Sequence, residues 1–427
     1  MNAAIIFILL LVLMLTGMPV SISLGLTVLT FLFGFTQVPL ESVALKLFTG
    51  IEKFEIMAIP FFILAGNFLT HGGVARRMIN FASSMVGHWY GGLGLSGVLG
   101  CALFAAVSGS SPATVVAIGS ILLPAMTKAG FPKSFGAGVI TTSGALGILI
   151  PPSIVMVMYS VATNTSVGAL FMAGVIPGLV LAGVLGGVTF YRARKFNYPR
   201  LPKASWAERL RTFKASAWGL LLIVIVMGGI YSGMFTPTEA AAMSAVYAFI
   251  VAVFVYKDMG LKDVPRVLLS SANMSAMLLY IITNAVLFSF IMTNENIPQA
   301  LADWMLGHGL GMVTFLLACN VILLLAGNFM EPSSIVLIFA PILFPVAIKL
   351  GIDPVHFGIM MVVNMEVGMC HPPVGLNLYV ASGITKMGIT ELTVAVWPWL
   401  LAMLAFLMLV TYYPPLSLWF PRMLGML

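Results

Sequence analysis

The sequence predicts an all-α, polytopic membrane protein built from two inverted repeats, each with five membrane spans and one re-entrant hairpin. Hydrophobic residues make up 60% of the chain and charged residues only 8%, against about 25% charged residues in a soluble domain. Many apolar stretches approach the length of about 20 residues that a helical span needs. They are continuous rather than alternating, which favours helices over a barrel. A pattern of glycines and prolines also recurs halfway along the chain, which indicates the repeat.

The remaining composition excludes several classes of protein. The formal charge of +7 comes from basic residues in loops between apolar runs, a signal of membrane orientation rather than of nucleic-acid binding. Cys101, Cys319 and Cys370 are isolated, so no redox or zinc role is expected. Residues 1–20 lack a basic leader segment and are predicted to form a first span rather than a cleaved signal. Motifs of soluble hydrolases and of ATP-binding loops are absent, so no enzymatic activity is expected.

The repeat rests on residues that fix backbone shape. Shifting the sequence by 220 residues places Gly87 and His88 on Gly307 and His308, and Pro112 on Pro332. After one inserted residue the register continues with Pro124 on Pro345, Gly130 on Gly351, Gly147 on Gly368, and Pro151 and Pro152 on Pro372 and Pro373. Because glycine and proline impose particular backbone conformations, this agreement predicts two copies of one backbone.

Each repeat divides into the same elements. Repeat 1 (1–190) is predicted to contain spans near 3–16, 20–36 and 55–70, an amphipathic stretch at 74–88, a re-entrant hairpin at about 92–128, a broken helix at 134–163 and a span at 168–190. A basic cytoplasmic linker follows at 191–215. Repeat 2 (216–427) is predicted to contain spans near 216–232, 238–255 and 270–292, a short segment at 294–308, a hairpin at about 310–349, a broken helix at 355–382 and a span at 392–415.

Because each half crosses the membrane five times, an odd number, the second repeat has the opposite orientation in the membrane to the first. With the basic linker in the cytoplasm, the only basic residues on the outer side are Lys46, Lys53, Lys349 and Arg422, and both termini lie outside. The charges alone would also allow parallel halves. A single helix over 92–128 would be about 55 Å long, however, against a hydrocarbon core of about 30 Å. Two full crossings would keep the orientation, but arms of about 16 residues are short for that, so a hairpin that dips into the membrane fits best.

Polar residues collect at the two hairpin tips. The first tip (108–114, SGSSPAT) combines hydroxyls with a chain break, whose free carbonyls suit a hard cation such as sodium. The amides at the start of the following helix suit an anion. The alternative is a serine-rich kink packed against small residues. In the second tip (327–334), Glu331 is costly inside a bilayer and is a functional candidate. It could be a cation ligand, a protonated acid or a helix cap beside Pro332.

Each hairpin is followed by a helix with a proline pair, which removes two amide donors and must open the helix. The opened carbonyls are expected to point toward the facing tip. Ser143 aligns with Asn364, so both repeats keep a polar group there, whereas Glu366 aligns with Ala145. His371 could carry a proton, but a structural hydrogen-bonding role is favoured beside the prolines.

Four motifs resemble those of one transporter family: SGSSPAT (108–114), GALGILIPPS (144–153), NFMEPSS (328–334) and GMCHPPVGLNLYV (368–380). They are similar to the large membrane subunit of tripartite ATP-independent periplasmic (TRAP) transporters. The resemblance implies an elevator-type, sodium-driven importer of an organic acid, either a dicarboxylate or a sugar acid, in the bacterial inner membrane. It also implies a small four-helix membrane subunit and a soluble periplasmic binding protein. Because no N-terminal extension precedes the first span, the small subunit is expected to be a separate chain.

The resemblance also implies functional residues. Sodium, the only ion expected, would be bound by Ser108, Gly109, Ser110, Ser143, Gly144, Gly147, Gly327, Asn328, Glu331, Asn364, Glu366 and Gly368. The acid would lie between the tips, near Ser111, Pro112, Thr114, Pro151, Pro152, Ser153, Pro332, Ser333, Ser334, Pro372, Pro373 and Asn377. No lysine or arginine falls in the tips or the broken-helix cores, so helix N-termini, hydroxyls, asparagine side chains and sodium would hold the acid.

Three other functions fit parts of the pattern. A stand-alone sodium–anion symporter would share the hairpins but need no binding protein. An intramembrane enzyme would need two of Glu331, Glu366 and His371 to converge on water. A scaffold for other subunits would leave the paired broken helices unexplained.

Overall fold

The computed structural model describes residues 2–36, 38–309, 311–328 and 330–427. Met1, Gln37, Leu310 and Phe329 lie outside the described residues, and they include the predicted first residue of the second hairpin and one residue of the second tip. The described residues form helices and connecting loops, and no β-strand occurs among them.

The first half of the chain forms α1 (Asn2–Leu15), α2 (Val20–Phe35), α3 (Leu40–Ile51), α4 (Ala58–His71), α5 (Val74–Val86), α6 (Gly92–Ser108), α7 (Ser111–Lys128), α8 (Lys133–Ser143), α9 (Ile154–Thr163) and α10 (Val167–Lys195). Short 3₁₀ segments precede α4 (Phe54–Met57) and follow α8 (Gly144–Ile148).

The second half forms α11 (Trp206–Tyr231), α12 (Pro237–Ile250), α13 (Val264–Asn294), α14 (Ile297–Gly307), α15 (Met312–Gly327), α16 (Pro332–Lys349), α17 (Pro354–Cys370), α18 (Leu376–Thr385), α19 (Ile389–Tyr412) and α20 (Pro415–Met423). A π-helical turn (Val251–Val255) continues α12.

The helices have the dimensions of a membrane protein. Within the described ranges, eight helical segments are long and apolar enough to cross a bilayer, and further apolar helices of 10–17 residues accompany them. A helix pairs its interior backbone amides and carbonyls within the same segment, as a hydrocarbon environment requires of a membrane span. The chain is therefore an all-helical, polytopic membrane protein.

Some boundaries differ from those that the sequence predicts. Helix α11 begins at Trp206, inside the predicted basic linker, because the Ser205 hydroxyl accepts a hydrogen bond from the Glu208 amide and caps the helix. Helix α10 continues to Lys195, so the non-helical connection covers only 196–205. Helices α3 and α20 were not predicted. Both are short, and their sequences mix polar with apolar residues.

Helices α6 and α7 form an antiparallel hairpin. Gly97 lies against Leu122 and Gly100 against Ile118, and Ser108 contacts Thr114 at the closed end. Along these pairs the residue number rises in α6 while it falls in α7, as expected for two antiparallel helices. Ser108 and Ser111, separated by two residues, end one arm and begin the other.

The helices can be divided into two groups, which contact each other where α4 packs on α6 and where α13 packs on α16. In the first group α4 packs on α12 and α13, and α13 also packs on α2 and α3. In the second group elements from both halves interlock: α7 packs on α18, α9 on α16, and α8 on α19. Fully buried Trp399 of α19 stabilises the second group by donating a hydrogen bond to the Thr189 hydroxyl of α10 at 2.9 Å. Helix α5 contacts α6 of the second group and also α11.

Candidate functional site

The first hairpin tip is held in shape by its own hydroxyl groups. The chain leaves α6 through Gly109, whose φ of 60° is left-handed, and passes through extended Ser110 into α7. The Ser108 and Thr114 hydroxyls lie 2.9 Å apart, and Thr114 donates to the Ser110 carbonyl at 2.8 Å. The hydroxyls of Ser108 and Thr114 therefore fix the turn.

The first tip contacts the first broken helix through backbone atoms. A Cβ atom placed on Gly147 would lie 2.5 Å from the Ser110 carbonyl oxygen and 2.8 Å from the Ser111 Cα. A Cβ on Gly109 would lie 2.9 Å from the Pro152 carbonyl oxygen. Such distances are too short for any side chain, so the two backbones touch. The structure thus brings together two segments that, by the family resemblance, are expected to share a cation, 108–110 and 143–147.

The first broken helix is interrupted between the 3₁₀ segment and α9 by Pro151 and Pro152, which are buried and joined by a cis peptide bond. Ser153 closes the gap: its hydroxyl donates to the Ile148 carbonyl at 2.6 Å and accepts from the Met156 amide at 3.4 Å. The hydroxyl predicted to contact substrate is therefore engaged in capping α9.

The second hairpin tip contacts the second broken helix in the same manner. A Cβ atom on Gly327 would lie 2.9 Å from the Gly368 Cα, so α15 and α17 touch at two glycines. Asn328 Oδ1 lies 3.2 Å from His371 Nδ1, which is the hydrogen-bonding role favoured for this histidine. Helix α17 ends one residue before His371, and the following Pro372–Pro373 bond is cis. Pro372 is partly buried and Pro373 is exposed.

Glu331 stands at the N-cap position of α16, directly before buried Pro332. Its carboxylate accepts no backbone amide of the helix, so the predicted capping alternative is not formed through the side chain. Instead the fully buried Ser334 hydroxyl donates to Glu331 Oε1 at 3.5 Å, and Ser333 is also buried. The side-chain oxygens of Glu331 thus lie at the second tip beside the buried residues Ser333 and Ser334.

One pair of side chains connects the two halves at the site. Asn377 of α18 donates to the Ser111 hydroxyl at 2.8 Å and to the Thr141 carbonyl at 3.3 Å. Ser111 and Asn377 are fully buried and 266 residues apart in sequence. This contact joins the first tip to the second broken helix and brings residues predicted to contact substrate to one point.

The two broken helices also hold buried oxygens that have no hydrogen-bond partner. Among the described residues these are the Ser143 hydroxyl, Asn364 Oδ1 and both carboxylate oxygens of Glu366. The other buried side-chain atoms without a partner are Ser23 Oγ, His88 Nδ1, Arg192 Nε and Arg209 Nε. A buried polar atom left unpaired costs about 1–3 kcal/mol. Ser143 and Asn364 stand at matching points of the two repeats, whereas Glu366 has no counterpart, and unpaired oxygens have the chemistry that a hard cation requires.

A residue that the sequence analysis missed positions Asn364. The Asn364 amide donates to the backbone and side-chain oxygens of Asn320 at 3.0 and 2.9 Å, and Asn320 donates to the Thr411 hydroxyl at 2.9 Å. This leaves Asn364 Oδ1 unpaired. A lone asparagine inside an apolar hairpin arm was the available signal. Thr141 was also missed, because it acts through its backbone carbonyl, which sequence does not reveal.

Two tips seated on two interrupted helices, inside a polytopic helical bundle, define a membrane transport protein. The chain belongs to the family of the DctM component of tripartite ATP-independent periplasmic transporters, whose family model matches residues 7–416. This family is a transporter component and not an enzyme family.

Relatives cover nearly the whole chain. The C4-dicarboxylate TRAP transporter large permease protein of Rhodobacter capsulatus is 76% identical, and the alignment covers 100% of both chains. The sialic acid TRAP transporter large permease protein of Vibrio cholerae is 37% identical over 96% of each chain. Among solved structures, the Alcanivorax borkumensis YdaH transporter aligns with a TM-score of 0.62 over 89% of this chain and 90% of that chain. At 15% identity that likeness shows a common fold alone.

The Ser111–Asn377 contact predicts energetic coupling between the two halves. Ser111→Ala and Asn377→Ala should each lower the free energy of unfolding by about 1–2 kcal/mol, because each removes a buried hydrogen bond. The double variant should lose about 1 kcal/mol less than the sum, since both changes remove the same bond. Denaturant unfolding of the purified protein in detergent measures this. Ser111→Ala combined with Thr189→Ala is the control and should be additive; additivity in the first pair would contradict the coupling.

Proposed function

We propose that this chain is the transport subunit of a sodium-driven, binding-protein-dependent importer of a C4-dicarboxylate in the bacterial inner membrane. The substrate class is that named for the Rhodobacter capsulatus relative. The 76% identity to that protein, against 37% to the sialic acid relative, favours a dicarboxylate over a sugar acid.

Sodium coupling is supported mainly by the unpaired oxygens of Ser143, Asn364 and Glu366. Each lies on a broken helix that touches a tip: Ser143 ends α8 directly before the 3₁₀ segment, and Asn364 and Glu366 lie in the last two turns of α17. One sodium ion would take oxygens from 108–110 and 143–147. A second would take oxygens from the segments 327–331 and 364–368. Oxygen ligands in this number suit a hard cation.

The acid would bind between the tips, where α7 and α16 begin. Helix N-termini present unpaired amides and a partial positive charge, which favour a carboxylate. Ser333 would add a hydrogen bond directly. Ser111, Asn377 and Ser334 would do so by exchanging the side-chain bonds that they make with each other and with Glu331. Because the Ser153 and Thr114 hydroxyls serve the local structure, these two residues would act on substrate only indirectly.

An elevator mechanism is supported by the packing of the helices in two groups. All four site segments belong to the second group, in which α7 packs on α18 and α9 on α16. A rigid movement of this group past the first group would carry ions and acid together across the membrane. Elements of the two halves also pack on each other reciprocally, α7 on α18 and α9 on α16, which supports inverted repeats at 1–190 and 216–427 joined by the linker 191–215. In this topology the hairpins are re-entrant and both termini lie in the periplasm.

The partners would be a small four-helix membrane subunit and a periplasmic binding protein that delivers the acid. The isethionate permease DctMQ of Oleidesulfovibrio alaskensis supports the first partner: this chain aligns at 42% identity over 95% of its own length but only 64% of that protein. Additional membrane sequence would account for the difference in length.

Reconstitution in liposomes tests the proposal. The chain, its small subunit and the substrate-loaded binding protein should take up labelled succinate when a sodium gradient is applied. Replacing sodium with potassium, or omitting the binding protein, should reduce uptake to background. Uptake by this chain alone would instead establish the stand-alone symporter, and equal uptake in potassium would reject sodium coupling.

A further inference from the structure

A second polar cavity lies away from the tips, between the two groups of helices. It has a volume of about 330 Å³, within the range of small-molecule sites. Helices α3 and α13 of the first group form one side, and the end of α9 and the middle of α16, both in the second group, form the other. Its polar lining consists of Lys46, Thr49, Lys53, Asn164, Ser289 and Thr293. We name this space the outer cavity, because the proposed topology places it on the periplasmic side.

The two lysines of the outer cavity differ in how they are held. Lys53 Nζ donates to the Val161 carbonyl at 2.6 Å and to Asn164 Oδ1 at 2.8 Å. An ammonium group has three donors, so one remains for a ligand. Lys46 is exposed, and its ammonium group lies 5.6 Å from the centre of the Phe290 ring. Stabilising the end of α9 accounts for Lys53, but it gives no reason for Lys46 to face the same space.

The side chains that line the outer cavity carry positive charge only. Its lining residues include no aspartate or glutamate, and in the described part of the chain neither lysine forms an ion pair. Glu55 lines a neighbouring cavity that shares Lys53 with the outer cavity. Partial burial lowers the pKa of Lys53, and the Glu55 carboxylate opposes that change. A bound anion would favour the ammonium form further.

We infer that the outer cavity is an anion-binding site that captures the dicarboxylate at the outer face before it reaches the site between the tips. Lys46 and Lys53 would each face one carboxylate, and the hydroxyls of Thr49, Ser289 and Thr293 would complete the hydrogen bonding. The inference rests on the proposed function, which supplies the substrate class and the direction of transport. The position between the two groups places the captured acid beside the helices that would move.

Cysteine labelling can test this inference, because Cys101, Cys319 and Cys370 are all buried. Thr49→Cys would place a thiol in the outer cavity of the complete complex in proteoliposomes. A membrane-impermeant maleimide would be added to the outside of the proteoliposomes. The buffer would contain choline in place of sodium, so that the proposed sodium-dependent substrate site between the tips stays empty. Succinate should slow labelling severalfold, and uncharged succinamide should not. Met234→Cys, exposed on another outer loop, is the matched control and should be labelled without protection.

Charge variants then identify the ligand groups. Adding Lys46→Gln should weaken the apparent affinity for succinate about threefold, the effect of one exposed charged contact, and adding Lys53→Gln as well should abolish protection. Lys46→Arg should retain it. If Thr49→Cys does not assemble, Ser289→Cys serves as the reporter.

Three results would overturn the inference: labelling unaffected by succinate in a complex that transports it, protection that survives loss of both lysines, or protection that requires sodium. The first of these leaves the proposed function intact. Conversely, sodium-independent protection in a complex without uptake would support the outer site and reject the proposed function.

Discussion

Gly147→Ala should reduce sodium-driven uptake about tenfold or more. The added Cβ atom would lie 2.5 Å from the Ser110 carbonyl oxygen and 2.7 Å from its carbonyl carbon. Both are backbone atoms, so no side-chain rotation relieves the overlap, and the first tip must move off the broken helix. Overpacking of this kind costs about 1–3 kcal/mol, and it falls on the oxygens proposed to bind sodium. Initial rates of succinate uptake, normalised to the amount of reconstituted protein, give the effect.

Gly183→Ala is the matched control for this substitution. It makes the same chemical change within a helix of the same half, α10, but no atom lies within 4 Å of the added Cβ. Uptake should be unchanged. Gly368→Ala tests the second tip, because its Cβ would lie 3.1 Å from the Gly327 Cα. Full uptake by Gly147→Ala and Gly368→Ala would show that the contact between tips and broken helices is irrelevant to transport.

Sequence was informative wherever a residue restricts the backbone. The proline pairs Pro151–Pro152 and Pro372–Pro373 remove amide donors, and the helices are interrupted at both. The glycines at 147 and 368 recur in both halves, and each meets a tip through backbone contact. The apolar runs predicted most helices because helical spans must be continuous and apolar.

The sequence could not supply contacts between distant residues. Ser111 and Asn377 meet only because α7 packs on α18, and nothing local to either residue specifies that packing. The same applies to Asn320 and Asn364 on α15 and α17. The positions of Lys46 and Lys53 in the sequence indicate only membrane orientation, although Lys53 reaches the end of α9 more than a hundred residues away. Helix α3, which carries Lys46, mixes polar and apolar residues, so its sequence lacks the continuous apolar run that predicts a span.

Ser143→Ala should raise the sodium concentration that gives half-maximal uptake about tenfold without destabilising the sodium-free protein. The Ser143 hydroxyl is fully buried and has no hydrogen-bond partner, so its removal breaks no bond within the protein. A lost contact to a charged ligand is worth about 1.5–3 kcal/mol. Glu366→Gln should have at least as large an effect, because it replaces one of two buried, unpaired carboxyl oxygens with an amide nitrogen that cannot bind a cation. The sodium dependence of uptake and of the thermal unfolding midpoint measures both variants, since sodium stabilises only the state that binds it.

Ser23→Ala provides a control of the same chemistry. The Ser23 hydroxyl on α2 is also fully buried and unpaired, but it lies in the first group of helices, outside the proposed sodium sites. Its removal should leave the sodium dependence of uptake unchanged. Because both hydroxyls are buried and unpaired, a difference between Ser143→Ala and Ser23→Ala would come from the position of the Ser143 oxygen and not from its burial. If Ser143→Ala instead lowers stability in sodium-free buffer and leaves the sodium dependence as it was, the hydroxyl serves the fold. The ligands would then have to be sought among the backbone carbonyls of the tips, which Gly147→Ala displaces and Ser143→Ala does not.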